Sequence, residues 1–291
     1  MASVFRGGRG LTLLMVVVAL LSPPLYGQSA VERGKAVLHA SGCIGCHTAE
    51  EGESLAGGRP LKSRYGTFYS PNITSDPRFG IGSWSFSEFE RAMRRGIAPD
   101  GHAYYPSFPY TAYTGMTDQD LKDLKEVLDA LPPVARQNQE HDLSWYLNIG
   151  LSVSAWRSLY FTPGPFVNDP DKSELWNRGS YLVKVLGHCA ECHTPRTLLG
   201  GLEEEKGLSG TPEGPDGESV PNITPDRESG IGRWSHSELI DYLSSGMDPE
   251  GDFAGGGMAE VIDNGLKFLP PGDLEAITEY LLSQPAIRSN H

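Results

Sequence analysis

Apolar positions recur at helical rather than strand spacing along most of the chain. Leu121, Leu124, Leu128 and Leu131 fall on one face. That segment opens on Thr117, with Asp120 three residues on, and ends at Pro132-Pro133. Asp273 to Ser283 repeats the pattern with Leu274, Ile277, Leu281 and Leu282. Two more helices, Phe86–Arg95 and His236–Ser245, open on capping boxes, Ser85 with Glu88 and Ser235 with Glu238. Val31–Ser41 and Glu174–Leu186 complete the set. No segment sustains strand alternation, so the predicted class is all-α with long loops.

The helices belong to an internal repeat. Pro71-Asn72-Ile73-Thr74 returns as Pro221-Asn222-Ile223-Thr224, and Gly80-Ile81-Gly82-x-Trp84-Ser85 as Gly230-Ile231-Gly232-x-Trp234-Ser235. Asp100-Gly101 returns as Glu250-Gly251, and all three pairs share one offset of 150 residues. Arg33-Gly34 lies ten residues before Cys43, and Arg178-Gly179 eleven before Cys189. Two equal modules are expected, at 30–135 and 173–291. Between them, 136–172 carries Trp145, Tyr146, Trp156, Tyr160, Phe161 and Phe166. A flexible linker would not be this aromatic, so the connector is expected to pack across both modules.

Composition narrows the class. With 35 Gly and 22 Pro in 291 residues, the chain should be loop-rich but not disordered. Arg6 and Arg9 followed by the apolar run Leu11–Leu21 read as a secretion signal over 1–29, with cleavage expected near Gly27 to Ala30. The alternative is an uncleaved N-terminal anchor. The formal net charge of −13 becomes −15 once Arg6 and Arg9 are removed. That balance argues against nucleic acid and anionic lipid as partners.

The chemistry lies in the cysteines. The chain has four, and all fall in Cys43-Ile44-Gly45-Cys46-His47 and Cys189-Ala190-Glu191-Cys192-His193. C-x-x-C-H is the attachment pattern of c-type haem. Two thiols add to the porphyrin vinyl groups, and the histidine supplies one axial nitrogen to the iron. A zinc ribbon needs its two pairs much closer in sequence, a redox dithiol needs no adjacent histidine, and a disulfide leaves both histidines unexplained. Two covalently bound haem c groups are therefore expected, with Cys43, Cys46, Cys189 and Cys192 as attachments and His47 and His193 as iron ligands.

The second axial ligand decides between carrier and catalyst. Outside the signal the methionines are Met93, Met116, Met247 and Met258. Met258, after the Gly255-Gly256-Gly257 loop, is favoured over Met247 for the second module. In the first, the repeat sets Phe108 opposite Met258, and phenylalanine cannot ligate iron. Met116 is the first candidate there, then an open iron, then His102. Trp84 and Trp234, with Asn72 and Asn222, are candidate donors to haem propionates.

Further residues carry a family resemblance. Tyr69-Ser70-Pro71-Asn72-Ile73-Thr74, the Gly-Ile-Gly-x-Trp-Ser turn, Ala98-Pro99-Asp100-Gly101, Tyr105-Pro106 and Tyr110-Thr111-x-Tyr113-Thr114-x-Met116-Thr117-Asp118 carry part of it. Gly187-His188-Cys189 and Cys192-His193-Thr194-Pro195-Arg196 carry the rest. Over residues 31–284 the chain resembles the cytochrome c subunits of bacterial membrane-associated alcohol and gluconate dehydrogenases. Those subunits usually carry three haem motifs, and this chain carries two. The resemblance implies a type I cytochrome c fold for each module and a periplasmic carrier at the outer face of the inner membrane. By the same resemblance it would take electrons from a dehydrogenase subunit and deliver them to a cytochrome, quinone or oxidase. Membrane association would come only through partners or an uncleaved N-terminus. The alternative is a dihaem enzyme, a peroxidase or small-molecule dehydrogenase, with an open iron in the first module; no acid–base set stands out for it.

Overall fold

The computed structural model describes residues 29–148, 150–214 and 217–289. The expected signal segment lies outside these residues except for Ser29. That serine caps the first helix, α1 (Ala30–Ala40), in a capping box with Glu32. No helix among the described residues is long and apolar enough to cross a membrane.

The first half runs through α2 (Cys43–His47), α3 (Phe86–Arg95), α4 (Tyr110–Tyr113) and α5 (Asp118–Ala130). α3 opens on the expected Ser85–Glu88 box and closes on Gly96 in the left-handed region, with φ 57°. Thr117 caps α5 by accepting from the Asp120 amide. α1 crosses α5 at Gly34, where a β-carbon would stand 2.1 Å from the Asp123 carbonyl oxygen. Beside that crossing Arg33 grips Asp123 with two bonds, Nε to Oδ2 at 2.7 Å and Nη2 to Oδ1 at 2.9 Å. The guanidinium holds the buried Asp123 carboxyl below its ordinary range.

The second half repeats the arrangement. α7 (Glu174–Tyr181), α8 (Ala190–His193), α9 (His236–Ser245), α10 (Gly256–Asn264) and α11 (Pro271–Leu282) follow in order. α7 crosses α11 at Gly179, where a β-carbon would lie 1.9 Å from the Ala276 oxygen. Arg178 grips Asp273 at 2.8 and 2.7 Å. The repeated Arg-Gly pair is thus a helix-crossing device: glycine admits the partner backbone and arginine ties it.

The one-residue difference between the copies has a visible cause. After α7 the chain continues through a π-helical turn, Leu182–Leu186, before Cys189. A π turn takes up one extra residue within a continuous helix. That matches Cys189 standing eleven positions after Arg178 while Cys43 stands ten after Arg33.

The chain is mostly helical, with one departure from the expected class. β1 (Pro60–Ser63), β2 (Gly66–Tyr69) and β3 (Asp142–Leu143) form an antiparallel sheet in that order. Each strand has four residues or fewer. That is too short for period-two alternation to register in sequence. β3 belongs to the connector, which continues as α6 (Gly150–Tyr160). The connector touches both halves. Phe161 packs edge-on against Tyr110 at 5.0 Å, while Trp156 Nε1 donates to the Leu199 oxygen and Tyr160 meets Thr197. Trp145 and Tyr146 are the exceptions among its aromatics, 77% and 42% exposed.

Buried residues of both halves join in one core. Tyr113, Met116, Leu121, Leu124 and Leu128 meet Tyr181, Val183, Leu186, Ile277 and Tyr280. Polar ties cross the same boundary: the Tyr181 hydroxyl donates to Asp120 and accepts from the Thr117 amide.

Candidate haem centres

Each C-x-x-C-H motif forms a single helical turn, which places its two cysteines on one side at i and i+3. All four thiols are unpaired. Burial pushes the Cys43 and Cys189 thiols up to about 12 and Cys192 to about 11. Cys46 is ringed by protein yet open on one side; burial raises it, opposed by the Arg59 guanidinium. Glu191 and then Cys46 add to the shift of Cys192.

The histidines are oriented identically. His47 Nδ1 lies 2.8 Å from the Pro71 carbonyl oxygen, and His193 Nδ1 lies 2.8 Å from that of Pro221. A carbonyl only accepts, so each Nδ1 carries the proton. Burial lowers the pKa of both imidazoles and keeps them neutral. Each Nε2 is then left as a lone-pair donor with its ring direction fixed, the usual arrangement of a metal-ligating histidine.

The loops that hold these carbonyls are built alike. Gly57 and Gly210 donate to the His47 and His193 carbonyls at 2.7 and 2.8 Å. Thr48 and Thr194, the residues after the histidines, accept from the Leu55 and Leu208 amides. Leu55 and Leu208 in turn accept from Ile73 and Ile223. Gly57 has φ 74° and Gly210 φ 80°, and a β-carbon on either would press on the Pro-Asn turn at under 3.0 Å. Sequence reasoning missed the two proline carbonyls, the two threonines and these two glycines. The repeated Pro-Asn-Ile-Thr is the signal in the sequence that marks this turn.

That asparagine does a different job from the one expected. Asn72 Nδ2 donates to the Val134 and Arg136 carbonyls, and its Oδ1 accepts from the Thr74 amide and hydroxyl. Asn222 Nδ2 donates to Ser229 and Ile287, and its Oδ1 accepts from Thr224 in the same way. Both side chains are buried and fully committed, so neither side-chain amide is free for a propionate. They lock the turn whose proline orients the histidine. Trp84 and Trp234 are half-buried against the core. Neither indole N–H has a hydrogen-bond partner among the described residues.

Met116 is fully buried at the entry to α5, and its carbonyl accepts from Arg94. Phe108 packs in the aromatic group of Tyr104, Tyr110 and Tyr113. Met258 is half-buried, but it lies in the first turn of α10 rather than in a loop. The glycines that read as a flexible loop initiate that helix instead. Met247 is 45% exposed, whereas Met93 is buried. His102 is solvent-exposed with Nδ1 on Asp100 at 2.6 Å, which takes it away from any buried iron.

The donor set fits haem c. It offers paired free thiols on one helical face and an adjacent histidine with an oriented Nε2, twice. Among the described residues no three His, Cys, Asp or Glu side chains converge on a metal-ion site.

Residues 31–131 match the cytochrome c family. A diheme cytochrome c-type protein of Cereibacter sphaeroides is 41% identical over 97% of this chain and 95% of its own length. The cytochrome c subunit of the quinone alcohol dehydrogenase of Gluconacetobacter polyoxogenes is 37% identical over 94% of this chain. That of the gluconate 2-dehydrogenase of Pantoea cypripedii is 35% identical over 91%. This chain spans 60% and 62% of the length of those two subunits. The chain belongs to the c-type cytochromes with covalently bound haem c, in the family that includes the diheme cytochrome and the dehydrogenase cytochrome c subunits.

Proposed function

We propose that the protein is a periplasmic dihaem electron carrier that accepts electrons from a dehydrogenase and passes them to a downstream cytochrome, quinone or oxidase. The observation that carries the reading is the pair of histidines, each clamped through Nδ1 to a proline carbonyl 2.8 Å away. Two such sites support two haems, one in each of the modules 30–135 and 173–291, with 136–172 as the connector. The relatives named as alcohol and gluconate dehydrogenase cytochrome subunits support the donor. Haem iron, when bound, supplies the one-electron ferric–ferrous chemistry.

The chain's own residues do the rest. The cysteines fix each site, and the histidines supply one axial nitrogen apiece. Met258 is the proposed second ligand of the second site, and Met116, fully buried, of the first. Trp84 and Trp234 present their unpaired indole N–H groups as propionate donors. Export through the N-terminal segment fits the cysteine chemistry, because haem is attached outside the cytoplasm in bacteria.

A spectroelectrochemical titration of a Met258→Leu variant tests the assignment. A thioether ligand raises the reduction potential. One midpoint should therefore fall steeply while the other stays largely in place. Two unchanged midpoints would remove Met258 as a ligand, and equal collapse of both would contradict separately ligated centres.

A further inference from the structure

Among the described residues three non-glycine positions have a left-handed backbone: Leu55, His188 and Leu208. Leu55 and Leu208 are each other's counterparts in the loops after the two histidines. His188, at φ 37°, has no such twin. It immediately precedes Cys189, and the corresponding residue before Cys43 is Gly42, at φ 63°. The turn into each motif thus calls for a left-handed residue, and glycine supplies it without steric cost. The second copy uses histidine, whose β-carbon opposes that conformation. Strain of this kind persists where the surroundings impose it, and it marks positions with a task.

The surroundings identify the task. Gly42 and His188 face one another where the two halves meet. A β-carbon on Gly42 would stand 4.0 Å from His188 Nε2. One side chain fills the shared space, and the opposite position is left without one. The imidazole packs edge-on against Tyr113 of the first half, centroids 5.5 Å apart at 75°. Tyr113 is buried, and its hydroxyl donates to the Ser41 carbonyl at 2.7 Å, directly before Gly42. The His188 carbonyl accepts from the Glu191 amide inside the second motif. One residue is therefore chained to the second attachment motif and wedged against the residues that lead into the first.

We propose that His188 is a positioning residue that couples the two haem sites: its ring closes the gap between the motifs to water, so the polarity around both irons depends on it. This rests on the reading that both motifs carry haem. Burial and solvent access set haem potential. Opening the gap admits water, which favours the more highly charged ferric form.

The test is a reductive titration of intact His188→Gly and His188→Asn holoproteins, with ferric electron paramagnetic resonance spectra and haem counted on the same samples. Glycine adopts the observed backbone freely, and asparagine tolerates it. Both midpoints should fall in the glycine variant, by up to about tenfold in the reduction equilibrium, or about 59 mV. The asparagine variant should lie between it and the parent. The Met258→Leu variant marks which midpoint belongs to the second motif. A shift confined to that midpoint, or no shift, overturns the coupling role and leaves His188 as local packing. If the glycine variant loses a haem, the asparagine variant decides by the same criterion. A parent protein with fewer than two haems would instead defeat the underlying dihaem reading.

Discussion

Replacing Gly34 by alanine tests whether the terminal helices cross by direct backbone contact. Its β-carbon would stand 2.1 Å from the Asp123 oxygen and 2.6 Å from Val127 Cγ2. Ordinary contact begins near 3.4 Å, so α1 and α5 must part by about 1.3 Å at the crossing. No rotamer relieves this, because the nearest atom is backbone. Overpacking of a tight core costs roughly 1–3 kcal/mol, and a clash with backbone belongs at the upper end. Alanine returns about 1 kcal/mol through helix propensity. The net loss is about 2 kcal/mol. For a body of this size that lowers the melting temperature by roughly 4–8 °C. Gly179→Ala, with 1.9 Å to the Ala276 oxygen, should cost at least as much. Gly272→Ala is the control. It lies in the first turn of α11 with nothing within 4 Å of its β-carbon, so only the favourable propensity remains and the protein should melt slightly higher. The assay is thermal unfolding of the holoprotein followed by circular dichroism and by haem absorbance. Gly34→Ala and Gly179→Ala proteins that melt with the parent would refute the crossing argument.

Asp123→Asn carries a pH signature. Arg33 depresses the folded-state pKa of Asp123, so its contribution is complete above the unfolded value of about 3.9 and is lost as pH falls through the folded value. The gap in melting temperature between parent and variant should be constant near neutrality and close in acid; a gap that widens in acid would contradict the assignment. Asn72→Ala strips four hydrogen bonds from the turn that carries the Pro71 carbonyl. Buried groups left unpaired cost roughly 1–3 kcal/mol each. The variant should lose stability and shift the midpoint of the first haem more than that of the second, as read by redox titration.

The capping boxes at Ser85 and Ser235 and the helices they open were legible in sequence, because a cap is a local hydrogen bond between residues three apart. The two C-x-x-C-H motifs stand out in sequence because their residues are adjacent, and each folds into one helical turn. The ten-versus-eleven count before the cysteines was visible too, but its meaning required the π turn at Leu182–Leu186. Asn72 and Asn222 stood out as repeated residues, but the turn-locking work of their side chains did not. Their partners, such as Arg136 and Ile287, lie more than sixty residues away and share no pattern. Gly255 to Gly257 read as a loop because glycine is a poor helix former. The helix forms nonetheless, with Ile262 buried and Glu260 tied to Arg59 of the first half. The short strands and the connector helix arise from long-range pairing, such as Gly66 with Leu143, which leaves little local trace.

The central claim is two haems per chain, each with both axial positions filled by the protein. It is tested most directly by carbon monoxide titration of the dithionite-reduced protein, with covalent haem counted on the same sample. The account predicts two haems per chain and no carbon monoxide bound at either, with Met116 and Met258 completing the ligand sets. Stoichiometric binding at one haem would contradict it, and would move an enzyme with an open iron beside Phe108 ahead of the carrier.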